Sequence, residues 1–426
     1  MTIADYYDEI SHCNKCGFCQ VACPIFRSTG HESGVARGRL ALLRAIIEGR
    51  IDWSEGMEGP LFDCLLCGAC TANCFPAIPT SDLVIRARSE YLARVGRKPV
   101  HRLLFEHLLP YPDRLQMAAM AVSLGQKTGL SNLARALGLL RIFGRDFASA
   151  EEILGELPGK PFRSHTPPGR YKGSEKGPAV GYFIGCGIDI IQQSAGAATL
   201  QLLRKVSRRV EILDNCCCGL PAFSYGDFDA ARRLLQKNLR SLAFERYDAI
   251  VTDCSSCASY LKKYPDIISE NDPRHERARA VALKVQDLVE FAGSMPIPTP
   301  SSKAPIRVTY HDPCHAVRGQ DLSKPPREML EKLPGVEYRE LPEADWCCGG
   351  AGAYALSQYD LYSRVLDRKI TNVESTGADL LVTSCPACVL HLSHGVRRHG
   401  LKTRVCHISE VILSTCHPMT MDPTHP

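Results

Sequence analysis

Two runs of cysteine near the amino terminus carry the first chemical signal. Cys13, Cys16, Cys19 and Cys23 follow one another with two, two and three residues between them, and Cys64, Cys67, Cys70 and Cys74 repeat that spacing. Intervals this short let successive backbone turns offer one thiolate each to a compact metal-sulfur core, while the fourth cysteine points away. In bacterial two-cluster sites the fourth cysteine serves the other cluster. The expectation is therefore two cubane [4Fe-4S] clusters, one on Cys13, Cys16, Cys19 and Cys74 and the other on Cys64, Cys67, Cys70 and Cys23. CxxC pairs also bind zinc, but four cysteines at one spacing, twice over, favour clusters. Proline follows Cys23 directly and follows Cys74 only after Phe75. That displacement is tolerable, because the proline ends the wrap and is no ligand.

A second constellation lies further along. Cys186, Cys217, Cys218, Cys254 and Cys257 are matched by Cys314, Cys347, Cys348, Cys385 and Cys388, with offsets of 128, 130 and 131 residues from Cys186 to Cys314, Cys217 to Cys347 and Cys257 to Cys388. Near-constant offsets, with YDAIVTDCSSC answered by ADLLVTSCPAC, mean a duplication. Five thiols exceed the four of a tetrahedral zinc site or an ordinary cube. Adjacent cysteines reach one metal core only across a sharp bend, which Gly219 and Gly349 permit. Gly349, Gly350 and Gly352 can also turn N–H groups toward anionic sulfur.

The elements that must position these thiols follow from the pattern around them. Each repeat reads strand, cysteine, helix, strand, cysteine pair, helix, strand, CxxC, helix, the alternation of a parallel α/β sheet. Each cysteine group comes directly after a strand, so the carboxyl edge of the sheet gathers them. A fourth segment, from Lys284 and from Val405, is expected to complete each sheet. Ahead of the repeats, Gly38 to Gly49 reads as an amphipathic helix closed by glycine. The resulting division is 1–95 for a helical module, 96–178 for a helical connector (Leu133 to Phe143 within it) ending in a Pro/Gly-rich linker at 158–178, 179–295 for the first repeat and 303–416 for the second.

Composition narrows the class. The chain has 426 residues, 45% hydrophobic and 23% charged, enough to bury a core without disulfide staples. Its 21 cysteines thus read as ligands in a reducing compartment. Met1 to His12 offers neither a basic n-region nor an apolar h-region, so the protein is read as cytoplasmic. No stretch approaches the roughly 18 apolar residues of a membrane span, and any membrane contact is expected to be peripheral, at the inner face. The formal charge of +5 counts cysteines as neutral; with thiolates bound to metal it falls, and it is no argument for nucleic acid.

The whole arrangement resembles the iron-sulfur subunit of glycolate oxidase, and is similar to the cysteine-rich iron-sulfur subunits of anaerobic glycerol-3-phosphate dehydrogenase and of heterodisulfide reductase. The interval between the cysteine runs also resembles the helical ferredoxin module of respiratory iron-sulfur proteins. The resemblance runs from Cys13 to about Ile412. It implies an α/β multidomain fold: an N-terminal α-helical ferredoxin module followed by two pseudo-symmetric parallel-sheet CCG domains. It further implies one or two C-terminal clusters, non-cubane [4Fe-4S], each on the five cysteines of a repeat. Both repeats are complete here, whereas many relatives have an incomplete first one. The implied function is electron relay in a flavin-linked glycolate or lactate dehydrogenase, an oxidoreductase in which an FAD-containing partner subunit oxidises the substrate. An electron-carrier protein or a quinone would accept the electrons onward. No catalytic residue of its own is identified. The rival reading is a heterodisulfide-reductase-like catalytic subunit acting at a CCG-domain cluster.

Other residues carry weaker signals. Cys216 is the spare member of a triple, and Cys406 and Cys416 read as small buried hydrophobes. His311 and His315 flank Cys314; a lone histidine is more often a hydrogen-bonding structural residue, whereas two beside a ligand are able to donate to cluster sulfur or to move protons. Arg37 and Arg39 are read equally as charge compensation and as a solvated helix start. Gly185-Cys186-Gly187 lacks the third glycine of a nucleotide fingerprint, Ile190 standing in its place. The 131–143 stretch is read as ordinary packing ahead of a docking surface.

Overall fold

A computed structural model describes residues 2–129, 152–295, 305–351 and 358–416. The amino-terminal part is helical. Helices Ala36–Ile47 and Thr80–Val95 close over a small core of Ile3, Ile10, Leu40, Leu43, Leu61 and Leu83. The first of them ends before Gly49, as its pattern predicts. Connector helices at Pro99–Leu103 and Pro112–Lys127 follow, with Phe105 and Leu109 between them buried in the core of the repeats. The helix expected at Leu133 to Phe143 lies outside the described residues.

The duplication is realised as two sheets. The first holds β1 (Gly169–Lys172), β2 (Ala179–Tyr182), β3 (Arg209–Ile212), β4 (Ala249–Thr252) and β5 (Val285–Asp287) in the order β1-β3-β2-β4-β5. The second holds β6 (Ile306–Tyr310), β7 (Val336–Tyr338), β8 (Leu380–Thr383) and β9 (Arg404–His407) in the order β7-β6-β8-β9. β2, β3, β4 and β5 correspond to β6, β7, β8 and β9, and all of these pairings are parallel. The fourth segments do complete the sheets. Central strands β4 (AIVT) and β8 (LLVT) are buried along their whole length, because helices cover both faces.

One expectation is corrected. The 158–178 stretch is more than a linker: it supplies a short helix, Phe162–His165, and β1, which pairs antiparallel with β3 at the sheet edge. An edge strand needs one row of backbone hydrogen bonds and little side-chain burial. Its four residues were therefore hidden among the prolines and glycines around them.

The repeats interlock reciprocally. The helix opened by Cys186 (Cys186–Ile190) meets the CxxC helix of the second repeat (Pro386–Arg398), where a Cβ at Gly187 would touch Pro386 at 3.2 Å. The helix opened by Cys314 (Cys314–Gln320) meets that of the first (Ser255–Lys262), with Gly319 against Ser259. Ser255 and Ser384, each beside the first cysteine of a CxxC, join hydroxyls at 2.8 Å across the pseudo-twofold. The carboxyl edges of both sheets are thereby turned toward each other. No described helix is long and apolar enough to cross a membrane.

Candidate iron-sulfur centres

Both N-terminal runs wrap in the same way. Lys15 and Leu66, at matching places, have φ of 54° and 53°, and Gly17 and Gly68 have 87° and 71°. Two left-handed residues between successive cysteines fold the chain around a common centre, and each run then enters a short helix, Phe18–Ala22 or Ala69–Ala72. The glycines were not singled out by the sequence reading, although their equal phase in the two runs was the signal. Cys13, Cys16, Cys19, Cys70 and Cys74 line one pocket. Cys23 is buried and pushed up by that burial, with Cys64 and Cys67 beside it. Cys70 faces Cys64, Cys67 and Cys23. Each fourth cysteine thus sits with the first three of the other run.

Arginine placement separates two residues read alike. Arg37 is a partly exposed partner of Glu32 that donates to the Lys15 carbonyl at 3.1 Å. Arg39 is only 2% exposed; its Nε donates to the Pro60 carbonyl at 2.5 Å and its charge faces Cys64, Cys23 and Cys70. The solvated reading fails for Arg39, which shares the inner face of its helix with Leu40 and Leu43.

In the repeats each cysteine group follows a strand, with Cys257 and Cys388 inside the helices that come next. Cys186 and Cys314 open helices after β2 and β6, the pairs follow β3 and β7, and Cys254 and Cys385 cap the helices after β4 and β8. Gly219 and Gly349 take φ of 104° and 85°, the bend the pairs require. The Gly349 N–H donates to Cys347 Sγ at 3.4 Å; Gly352 lies outside the described residues. Cys186 and Cys217 sulfurs are 4.0 Å apart, and Cys348 and Cys388 sulfurs 3.6 Å. Hydrogen-bond contacts with the thiols of Cys217 and Cys257 hold Cys218 below the ordinary thiol range, and those with Cys347 and Cys388 do the same for Cys348. Cys216 turns away: its thiol donates to Asn238 Oδ1 at 3.4 Å, and burial pushes it up to about 11. Cys406 is buried, beneath Arg404. The side chain of Cys416 lies outside the described residues.

These donor sets suit iron and sulfide. Every described cysteine is a free thiol, and the candidate ligands of the two repeats are buried except Cys186 and Cys314, which are half-buried. Five thiols gather in each repeat, more than zinc takes. The groups also touch one another. Cys67 of the N-terminal module interacts with Cys347, and Cys254 of the first repeat interacts with Cys385 of the second. Arg318 ties the first junction, donating to the Cys67 carbonyl at 3.3 Å and pairing with Asp345 at 2.6 Å. No spacing pointed to Arg318, since its partner lies far away in the chain.

Residues 9–78 match the 4Fe-4S dicluster domain, and residues 180–262 and 308–393 match the cysteine-rich domain called CCG. Residues 96–154 match the linker region of the glycolate oxidase iron-sulfur subunit. A probable glycolate oxidase iron-sulfur subunit of Bacillus subtilis is 30% identical over 421 residues, covering 95% of this chain and 94% of that protein. The chain belongs to the glycolate oxidase iron-sulfur subunit family. One of the subunits of the fumarate reductase (CoM/CoB) of Methanothermobacter marburgensis is 26% identical, over 96% of this chain and 73% of its own length. Lactate utilization protein A of a Geobacillus species is 30% identical over 55% of this chain and 99% of its own length. This glycolate oxidase subunit relative therefore joins a helical iron-sulfur module to two CCG domains.

Proposed function

We propose that this chain is the electron-transfer subunit of a flavin-linked 2-hydroxy-acid dehydrogenase complex, acting on glycolate or lactate through a separate FAD-containing subunit. The observation that carries the reading is the continuity of thiol groups, from the Cys13 pocket at the surface, through the Cys64 group and Cys67–Cys347, to the second repeat, and through Cys385–Cys254 to the first. Iron-sulfur clusters bound at these thiols would supply reversible one-electron chemistry. The chain's residues hold and insulate them: Cys13, Cys16, Cys19 and Cys74 for one cube; Cys64, Cys67, Cys70 and Cys23 for the other. The five cysteines of each repeat hold a non-cubane cluster. Arg39 offsets negative charge at the second cube. The names of the Bacillus and Geobacillus relatives support a hydroxy acid as the electron source. The burial of Cys217, Cys218, Cys254 and Cys257, and of Cys347, Cys348, Cys385 and Cys388, favours relay over direct attack on a bulky disulfide. A carrier protein or a quinone is the proposed acceptor, and the domain division is that drawn from the sequence.

Two measurements test the reading. Protein purified without oxygen should be brown and carry about eight irons on the N-terminal module, with more on the repeats; stoichiometric zinc without acid-labile sulfide would sink it. The purified chain should not oxidise glycolate or lactate alone, and should support their oxidation with an artificial acceptor once joined to a flavoprotein of the glycolate or lactate oxidase type. Turnover by the flavin-free chain would overturn the division of labour.

A further inference from the structure

We propose that His311 donates a hydrogen bond to sulfur at the second-repeat centre, and that this one group makes the two duplicated centres unequal in reduction potential. The inference rests on the reading that each repeat holds a cluster. His311 is 1% exposed, and neither ring nitrogen has a hydrogen-bond partner among the described residues. A buried polar group left unpaired is unfavourable, so an acceptor is expected at this place. The groups beside it are sulfur: a ring nitrogen of His311 and the Sγ atoms of Cys348 and Cys388 all lie within 4.8 Å of one another.

The other buried imidazoles of this repeat each have a ring nitrogen engaged elsewhere. His315 meets the Ser256 hydroxyl at 2.9 Å, and His391 and His394 meet the Tyr362 hydroxyl at 3.3 and 3.0 Å. His407 lies between Ser409 and the Asp253 carbonyl at 2.8 and 2.9 Å. Among the described imidazoles of the repeat, His311 alone is buried with both ring nitrogens left unpartnered.

The first repeat supplies the control. Its residue at the same place is Phe183, three before Cys186 as His311 is three before Cys314. The backbone equivalence is close: Phe183 N–H donates to the Val251 carbonyl and His311 N–H to the Val382 carbonyl, both at 2.9 Å. Phe183 is fully buried and offers no donor. Hydrogen bonds to cluster sulfur favour the more negative, reduced form, so the donor raises the potential of its own centre. The second repeat, which also lies beside Cys67, is then the first and deeper resting place for an electron leaving the N-terminal module.

The test uses the full chain with its clusters. In His311→Phe the reduction equilibrium of the second-repeat centre, by EPR-monitored titration, should fall on the order of tenfold, equivalent to about 59 mV for one electron. Iron and sulfide should be unchanged, and a strongly coupled exchangeable proton on that centre, seen in deuterium exchange, should disappear. His311→Gln, which keeps an N–H, should restore part of the shift, and Phe183→His should raise the first-repeat centre. An unshifted potential at full iron content overturns the proposal, and so does loss of iron from the second repeat, which would make His311 a ligand. Should His311→Phe not fold, the Gln variant and Phe183→His decide by the same criteria. A parent protein with no C-terminal signal at all would mark failure of the cluster reading itself.

Discussion

Cys216 and Cys217 are neighbours in sequence and face different surroundings. One thiol is spent on Asn238, the other lies 4.0 Å from Cys186. Cys216→Ser should leave every cluster signal in place, whereas Cys348→Ser should abolish one distinct EPR signal and spare both N-terminal cubes. A Cys348→Ser protein with the full spectrum of the parent would defeat the ligand assignment. Asp287 sets a pH dependence. It is fully buried, caps the helix Leu288–Gly293 by accepting from the Val289 N–H at 2.9 Å, and desolvation raises it to about 6. Its neutral form is the one the fold favours. Stability from this group is complete below its ordinary carboxylate range and is lost as pH rises through about 6. Asp287→Asn keeps the cap and should add on the order of 2–3 kcal/mol above that pH, and little near pH 4, at about 1.4 kcal/mol per pKa unit. Thermal melts of wild type and variant at the two pH values check the sign. Ligand type and spacing made the cysteines legible in the sequence. The burial of Asp287 and Arg39 was not legible, because it depends on what the fold lays over them.

At the scale of elements, helix Ala36–Ile47 shows propensity overruled by packing. Alanine in place of an exposed helical glycine usually stabilises by about 1 kcal/mol. At Gly38 the added Cβ would lie 1.9 Å from the Glu32 carbonyl oxygen, so backbone must move. Gly38→Ala should therefore destabilise, by about 1–3 kcal/mol as overpacked sites do, and loosen the segment that carries Arg37 and Arg39 between the two cysteine runs. Denaturant midpoints of the variant measure it; a gain in stability would show that the contact is absent. The duplicated strand-cysteine-helix units were legible because periodicity, β-branched runs and cysteine phase all agree within a dozen residues. β1 was not, since an edge strand is held by backbone groups that any sequence supplies.

For the whole molecule, the order of the cysteine groups in space differs from their order along the chain. The N-terminal module precedes the first repeat in sequence, yet its Cys67 meets Cys347 of the second, and the first is reached through Cys385 and Cys254. Rapid freeze-quench EPR, with electrons delivered to the N-terminal module, should show the second-repeat signal before the first-repeat signal; the reverse order would contradict this path. The sequence by itself determined the candidate donors, their spacing in two runs and two sets of five, the duplication and the α/β class. All of these are local constraints, set by how far a chain reaches in a few residues and by which face of a strand or helix must be buried. The tertiary structure alone decided which groups touch. Cys67 and Cys347 are 280 residues apart and meet where Arg318 reaches across to the Cys67 carbonyl, while the two repeats interlock through Gly187 and Gly319. Contacts of that range are fixed by the summed fit of many surfaces, which no spacing of residues along the chain encodes.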